Sequence, residues 1–257
     1  TKISLRFHPQ RREKEKNMKK QLRILALGNS FSQDCTAYLD RMTDAGLLVR
    51  NLYIGGCSLE RHAGNLRTNA AEYEYQKDGV AIGGGHVSAN EILSSEPWDF
   101  VTVQQSSGLS GCYESYVPYL EEVLSYIRTL CPTAQPVWNE TWAYATTSTH
   151  AAFQTYEYSQ QKMIACIRET ARRVCGEFGI DRMIRTGDAI QLLRENVAPD
   201  GTEFCRDGFH LSLNYGRYAA AYVWARFFGL PVNGFVPDGA DPERILACVS
   251  VLKDAGI

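Results

Sequence analysis

The stretch ILALGNSFSQD, Ile24–Asp34, decides how this chain is read. Four apolar residues, Ile24 to Leu27, have no polar alternation, the pattern of a strand buried on both faces. The run then stops at Gly28, Asn29 and Ser30. An amide and a hydroxyl directly after a core strand allow two readings. Ser30 could cap the next helix in an ordinary strand-to-helix turn, or the strand end could present it as a nucleophile. Asp34 reads most simply as a helix-start acid favoured by the helix dipole.

Working outward, further apolar runs at 48–55, 98–105, 134–141 and 181–187 join 22–28 as candidate strands. Stretches of helical period separate them near 34–46, 115–130, 151–176, 188–196 and 214–229. Apolar strands alternating with helices predict an α/β protein: a three-layer doubly wound, flavodoxin-like sheet of about five parallel strands. In such sheets ligands bind beyond the carboxyl ends of the strands, which is where Ser30 falls. Residues 72–90 break the pattern. YEYQKDGVAI reads as a hairpin turning at Asp78-Gly79, either a flap beside a site or a plain surface excursion. The GGG at 83–85 lacks the lysine and spacing of a phosphate loop.

Composition narrows the function. The 257 residues carry a net charge of −2, which supplies no electrostatic footprint for nucleic acid. No apolar run approaches the roughly 20 residues of a membrane span. The chain therefore reads as a basic, disordered arm over 1–20, with Met18 as a plausible start, followed by one domain over 21–257. The eight cysteines include no C-x-x-C pair, so free thiols in a reducing cytoplasm are expected, and no metal site. The sequence leaves the oligomeric state open.

A serine nucleophile needs a histidine base, and the base needs a group that fixes its tautomer. Of His8, His62, His86, His150 and His210, only His210 has a carboxylate three residues earlier, Asp207, in RDGFHLS. At that spacing both side chains can lie on one side of a turn. Ser32, Ser58, Ser106 and Ser107 read as turn residues.

These blocks resemble those of the SGNH (GDSL-type) hydrolases. GNSFS at 28–32 is similar to the first block, with Asn29 where Asp is common, and DGFH at 207–210 to the last. NLYIGGCS resembles the second block and places its glycine at Gly56. The third block departs: an oxyanion-binding asparagine is usual, but this strand ends in VTVQQSSG. A glutamine carries the same kind of donor one methylene farther out, and Gln104 is favoured over Gln105, since successive side chains face opposite ways.

The resemblance implies Ser30 as nucleophile, His210 as base and Asp207 as its orienting acid. The oxyanion would meet Ser30, Gly56 and Gln104, and no cofactor is called for. Asn29, Gln105, Trp142 and Tyr144 are candidate substrate contacts, the two aromatics because flat rings beside polar groups in VWNETWAYA suit a sugar. Core packing explains such rings equally well. The implied activity is hydrolysis of small acyl esters, O-acetyl carbohydrate among them. The alternatives are a lipid, aryl ester or thioester hydrolase, or a glycan-binding protein that has lost turnover.

Overall fold

The computed structural model describes residues 21–197 and 203–257; the segment 1–20 read as an arm lies outside them. Seven strands form one sheet: β1 (Leu22–Gly28), β2 (Leu47–Tyr53), β3 (Ala71–Lys77), β4 (Val80–Ser88), β5 (Phe100–Val103), β6 (Gln135–Asn139) and β7 (Met183–Ile184). Their order is β4-β3-β2-β1-β5-β6-β7. β2, β1, β5, β6 and β7 run parallel, whereas β3 and β4 pair antiparallel. The parallel strands thus follow a second-first-third-fourth-fifth order, that of one common doubly wound arrangement.

Alternation along β1 explains why its apolar run is continuous. Ile24 and Ala26 enter one hydrophobic cluster, and Leu25 and Leu27 another on the opposite face. Helix α1 (Ser30–Thr36) and α6 (Thr186–Val197), α7 (Gly216–Phe227) and α8 (Pro242–Asp254) pack into the first. Helix α2 (Leu59–Thr68), α3 (Ala89–Ser95) and α4 (Tyr119–Leu130) pack into the second, and α5 (Gln160–Phe178) reaches both.

Two points differ from the sequence reading, while the hairpin turning at Asp78-Gly79 is found as read. The first helix does not run over 34–46; it begins at Ser30, at once after β1, and ends at Thr36. The sequence reading passed over α2, α3 and α8. The excursion at 72–90 is the β3–β4 hairpin, which extends the sheet beyond β2. Its Asp78-Gly79 tip rests on α1, where Gln33 Nε2 donates to the Gly79 carbonyl at 3.0 Å. Strand order puts β4 at the edge of the sheet, and this hydrogen bond ties the hairpin tip to α1. No helix among the described residues is long and apolar enough to cross a membrane.

Candidate active site

Ser30 occupies the first position of α1, and the cap lies one residue earlier. Asn29 Oδ1 accepts from the Phe31 N–H at 2.9 Å, while the Asn29 N–H donates to Ser32 Oγ at 2.9 Å. With capping done by Asn29 and Ser32, the half-buried Ser30 hydroxyl is left for other work. Gly28 makes this geometry possible: a Cβ there would meet Ser32 Oγ at 2.1 Å.

His210 sits on a tight hairpin. Arg206 N–H donates to the His210 carbonyl at 2.9 Å, Ser212 N–H to that of Phe204 at 2.8 Å, and Cys205 bridges Leu211. Asp207, Gly208, Phe209 and His210 form its tip, with Gly208 at φ +89°. There the Asp207 carboxylate takes the His210 N–H at 2.8 Å through Oδ1 and lies 2.7 Å from His210 Nδ1 through Oδ2. Partial burial pushes the Asp207 carboxyl up, but hydrogen bonds from the His210 ring and from the His210 and Phe209 backbone outweigh it. The net shift is downward, so the group stays ionised at neutral pH. A carboxylate on Nδ1 fixes the tautomer that leaves Nε2 free to accept a proton.

Two aromatic contacts bring this hairpin to Ser30. Phe31, the next residue, stacks on Trp142 with centroids 3.9 Å apart and planes at 3°. Trp142 Nε1 in turn donates to the Phe209 carbonyl at 2.7 Å. The His210 ring lies edge-on to Phe31, centroid to centroid 6.2 Å. The hairpin is also tied to the segment after β6 by Ala145 N–H donating to the Gly208 carbonyl at 2.8 Å.

Gly56 lies at the end of β2, exposed and at φ +62°, in a turn closed by Cys57 N–H donating to the Ile54 carbonyl at 3.1 Å. That closure does not use the Gly56 N–H. The Ile54 N–H reaches the Gly28 carbonyl at 3.5 Å, which sets this turn beside the end of β1.

The remaining candidates are placed otherwise than the sequence suggests. Gln104 is 1% exposed; its Nε2 donates to Asn29 Oδ1 at 2.9 Å and its Oε1 accepts from Asn139 Nδ2 at 2.7 Å. Both ends of the amide are therefore engaged in bracing the cap residue. Gln105 faces the other way, as the strand period requires. Its Oε1 accepts from the Leu59 and Ser106 N–H groups, and its Nε2 donates to Ser115.

Asn29, Gln105, Trp142 and Tyr144, read as substrate contacts, all have at most 1% of their surface exposed. Asn29 Nδ2 donates to the Cys57 carbonyl at 3.0 Å, and Tyr144 shares a 2.8 Å hydrogen bond with Ser107 Oγ. These four brace the site from beneath instead of lining it, because burial of the aromatic rings gains more than exposing them at the mouth.

Two buried polar residues beside these candidates escaped the sequence reading. Asp34 is no helix-start acid: α1 has no acid in its first turn, and Asp34 is fully buried against Arg206 and Arg217. The arginines Arg206 and Arg217 near the DGFH block were the available signal, since a buried carboxylate demands a counter-charge. The second is Asn139, whose Oδ1 accepts from Thr186 Oγ1 and Trp224 Nε1 while its Nδ2 holds Gln104.

The sheet order and its flanking helices, with Ser30 at the end of the first strand and the Asp207–His210 hairpin packed on the helix that follows, make a mixed α/β fold that recurs in solved structures. A protein assigned as a GDSL-like lipase from Parabacteroides merdae matches with a TM-score of 0.56 at 15% identity, over 84% of this chain and 99% of that one. An acetylxylan esterase from Geobacillus stearothermophilus matches with a TM-score of 0.51 at 14% identity, over 83% and 98%. At such identities the likeness is one of fold.

The chain itself belongs to the DUF4886 family, a domain of unknown function, whose model matches residues 23–247. A crystal structure of a DUF4886 family protein from Bacteroides uniformis is 35% identical, with a TM-score of 0.80 over 92% of this chain and 95% of that one. No curated protein matches the sequence.

Proposed function

We propose that this protein is a serine esterase. The observation that carries the reading is the Asp207–His210 pair, 2.7 Å from Oδ2 to Nδ1, on a hairpin packed against the helix that Ser30 begins. In this reading His210 Nε2 takes the Ser30 proton as Oγ bonds to the ester carbonyl carbon. Asp207 stabilises the imidazolium, which then protonates the departing alkoxide. Water, deprotonated by His210, attacks the acyl-enzyme and restores Ser30 as the acid leaves.

The oxyanion would meet the backbone N–H groups of Ser30 and Gly56, each such donor contributing on the order of 3 kcal/mol to transition-state stabilisation. Gln104 then serves by holding Asn29, not by touching substrate. Phe31 stacked on Trp142, and Gln104 against Asn29, are almost wholly buried and open no groove among them, which favours a short acyl group over a long chain that needs one. The fold shared with an acetylxylan esterase makes acetylated sugars the first substrates to screen.

A second reading, a glycan-binding protein without turnover, draws on the use of both glutamine amides in holding neighbouring residues, Gln104 on Asn29 and Asn139 and Gln105 on Ser115. Labelling with a fluorophosphonate separates the two. An esterase gives one adduct by intact mass that vanishes in Ser30→Ala. No adduct in the folded protein would refute the esterase and send the search to glycan binding.

A further inference from the structure

Asp34 stands one helical turn beyond Ser30 on α1, so the two residues share a face. Its carboxylate is wholly buried, and each of its donors comes from the base-bearing hairpin or the helix that follows it. Oδ2 accepts from the Leu211 N–H at 2.8 Å, the residue next to His210. Oδ1 accepts from Arg217 Nε at 2.7 Å and from Arg206 Nη1 at 3.1 Å. Arg206 Nη1 also donates to the Leu211 carbonyl, so one guanidinium spans both sides of the clamp.

Local electrostatics does not account for an acid here, since the carboxylate lies in the second half of a short helix, away from the favourable N-terminal end of the dipole. Its compensation comes from 172 and 183 residues away in the chain.

We infer that Asp34 is a positioning residue: by clamping the hairpin to the nucleophile helix it sets the separation between Ser30 Oγ and His210 Nε2. The inference rests on the serine-esterase reading. It touches neither substrate nor the reacting atoms, and it leaves the Asp207–His210 pair alone, because that pair is built within the hairpin. Loss of the clamp should therefore slow proton transfer from Ser30 without changing how substrate is held.

The experiment measures both the rate constant and the endpoint of fluorophosphonate labelling at Ser30 in the full chain. Asp34→Asn keeps an acceptor for the Leu211 N–H but removes the charge that gathers the arginines. It should label to one adduct per chain at a rate reduced about 100-fold, the scale of an ångström-level misplacement. On a small acetyl ester the loss should appear in kcat, with KM held.

A merely structural role would instead lower the endpoint through unfolded protein and leave the rate constant of the folded fraction unchanged. Should Asp34→Asn fail to fold, Arg217→Gln decides, since it removes one donor and leaves Asp34 paired with Arg206. A reduced rate constant at full endpoint supports the clamp, and a wild-type rate constant overturns it. Absence of labelling in the wild-type protein would overturn the esterase reading itself, an outcome distinct from normal wild-type labelling with an unaltered variant.

Discussion

Gly28→Ala is the sharpest test of how the turn that presents Ser30 is built. Nothing about the backbone angles of Gly28 forbids alanine, and the residue lies in β1 opposite Tyr53. The obstacle is a single neighbour: a Cβ would fall 2.1 Å from Ser32 Oγ and 2.7 Å from Ser32 Cβ, while the next atom, Gln104 Cδ, stands at 3.6 Å. Ser32 must move, and its hydroxyl is committed. It accepts the Asn29 N–H at 2.9 Å and donates to Asn51 Oδ1 at 2.8 Å.

All three residues are buried, so displacement strands a donor and an acceptor without water. At about 1–3 kcal/mol for each orphaned group, Gly28→Ala should cost about 4 kcal/mol, a large part of the 5–15 kcal/mol typical of a folded domain. Urea unfolding followed by circular dichroism measures the loss.

The same reasoning fixes the double variant. In a Ser32→Gly background both clashing atoms are gone and both polar groups are already orphaned, so adding Gly28→Ala should cost less than about 1 kcal/mol. An equal cost in both backgrounds, or a small one in the wild type, would refute the argument that Gly28 is there for Ser32.

Two further substitutions test the buried polar groups around the site. Burial, with the charge of Asp188 adding to it, lifts the Glu140 carboxyl from its ordinary 4.5 to about 7. Between those pH values the native chain keeps a proton that the unfolded chain has released, so stability falls as pH rises through the window, by about 3 kcal/mol in all. Glu140→Gln should match the wild type at pH 5 and exceed it by about 2–3 kcal/mol at pH 8 in urea titrations; a less stable variant at pH 8 would mean that Arg168 and Arg185 compensate the carboxylate. Asn29→Asp turns the Nδ2 that donates to the Cys57 carbonyl into an oxygen facing an oxygen. It should destabilise by about 1–3 kcal/mol at pH 8 and recover towards pH 5, where a protonated acid can donate again; melting temperatures at the two pH values check it.

Much of this molecule was legible in the order of its residues, because the signals were short-range. The run from Ile24 to Leu27 marks a strand buried on two faces within a few residues, and Gly28-Asn29-Ser30 marks its end. The Asp207–His210 pairing needs only three residues of chain and one turn, so spacing alone singled it out among five histidines.

What spacing cannot carry is the choice of partner across the fold. Whether Trp142 faces a substrate or stacks on Phe31 depends on where β6 lies relative to β1. Whether Gln104 meets an oxyanion or braces Asn29 depends on an amide 35 residues away, that of Asn139. The hairpin at 72–90 announces its turn, but only pairing with β2 makes it a sheet edge.

Asp34 is the plainest case. Its carboxylate would look like any helix acid until α7 and the Asp207–His210 hairpin arrive to bury it beneath two arginines. A buried charge is tolerated only when paired, and its partners lie more than 170 residues along the chain, at distances that tertiary packing alone could close.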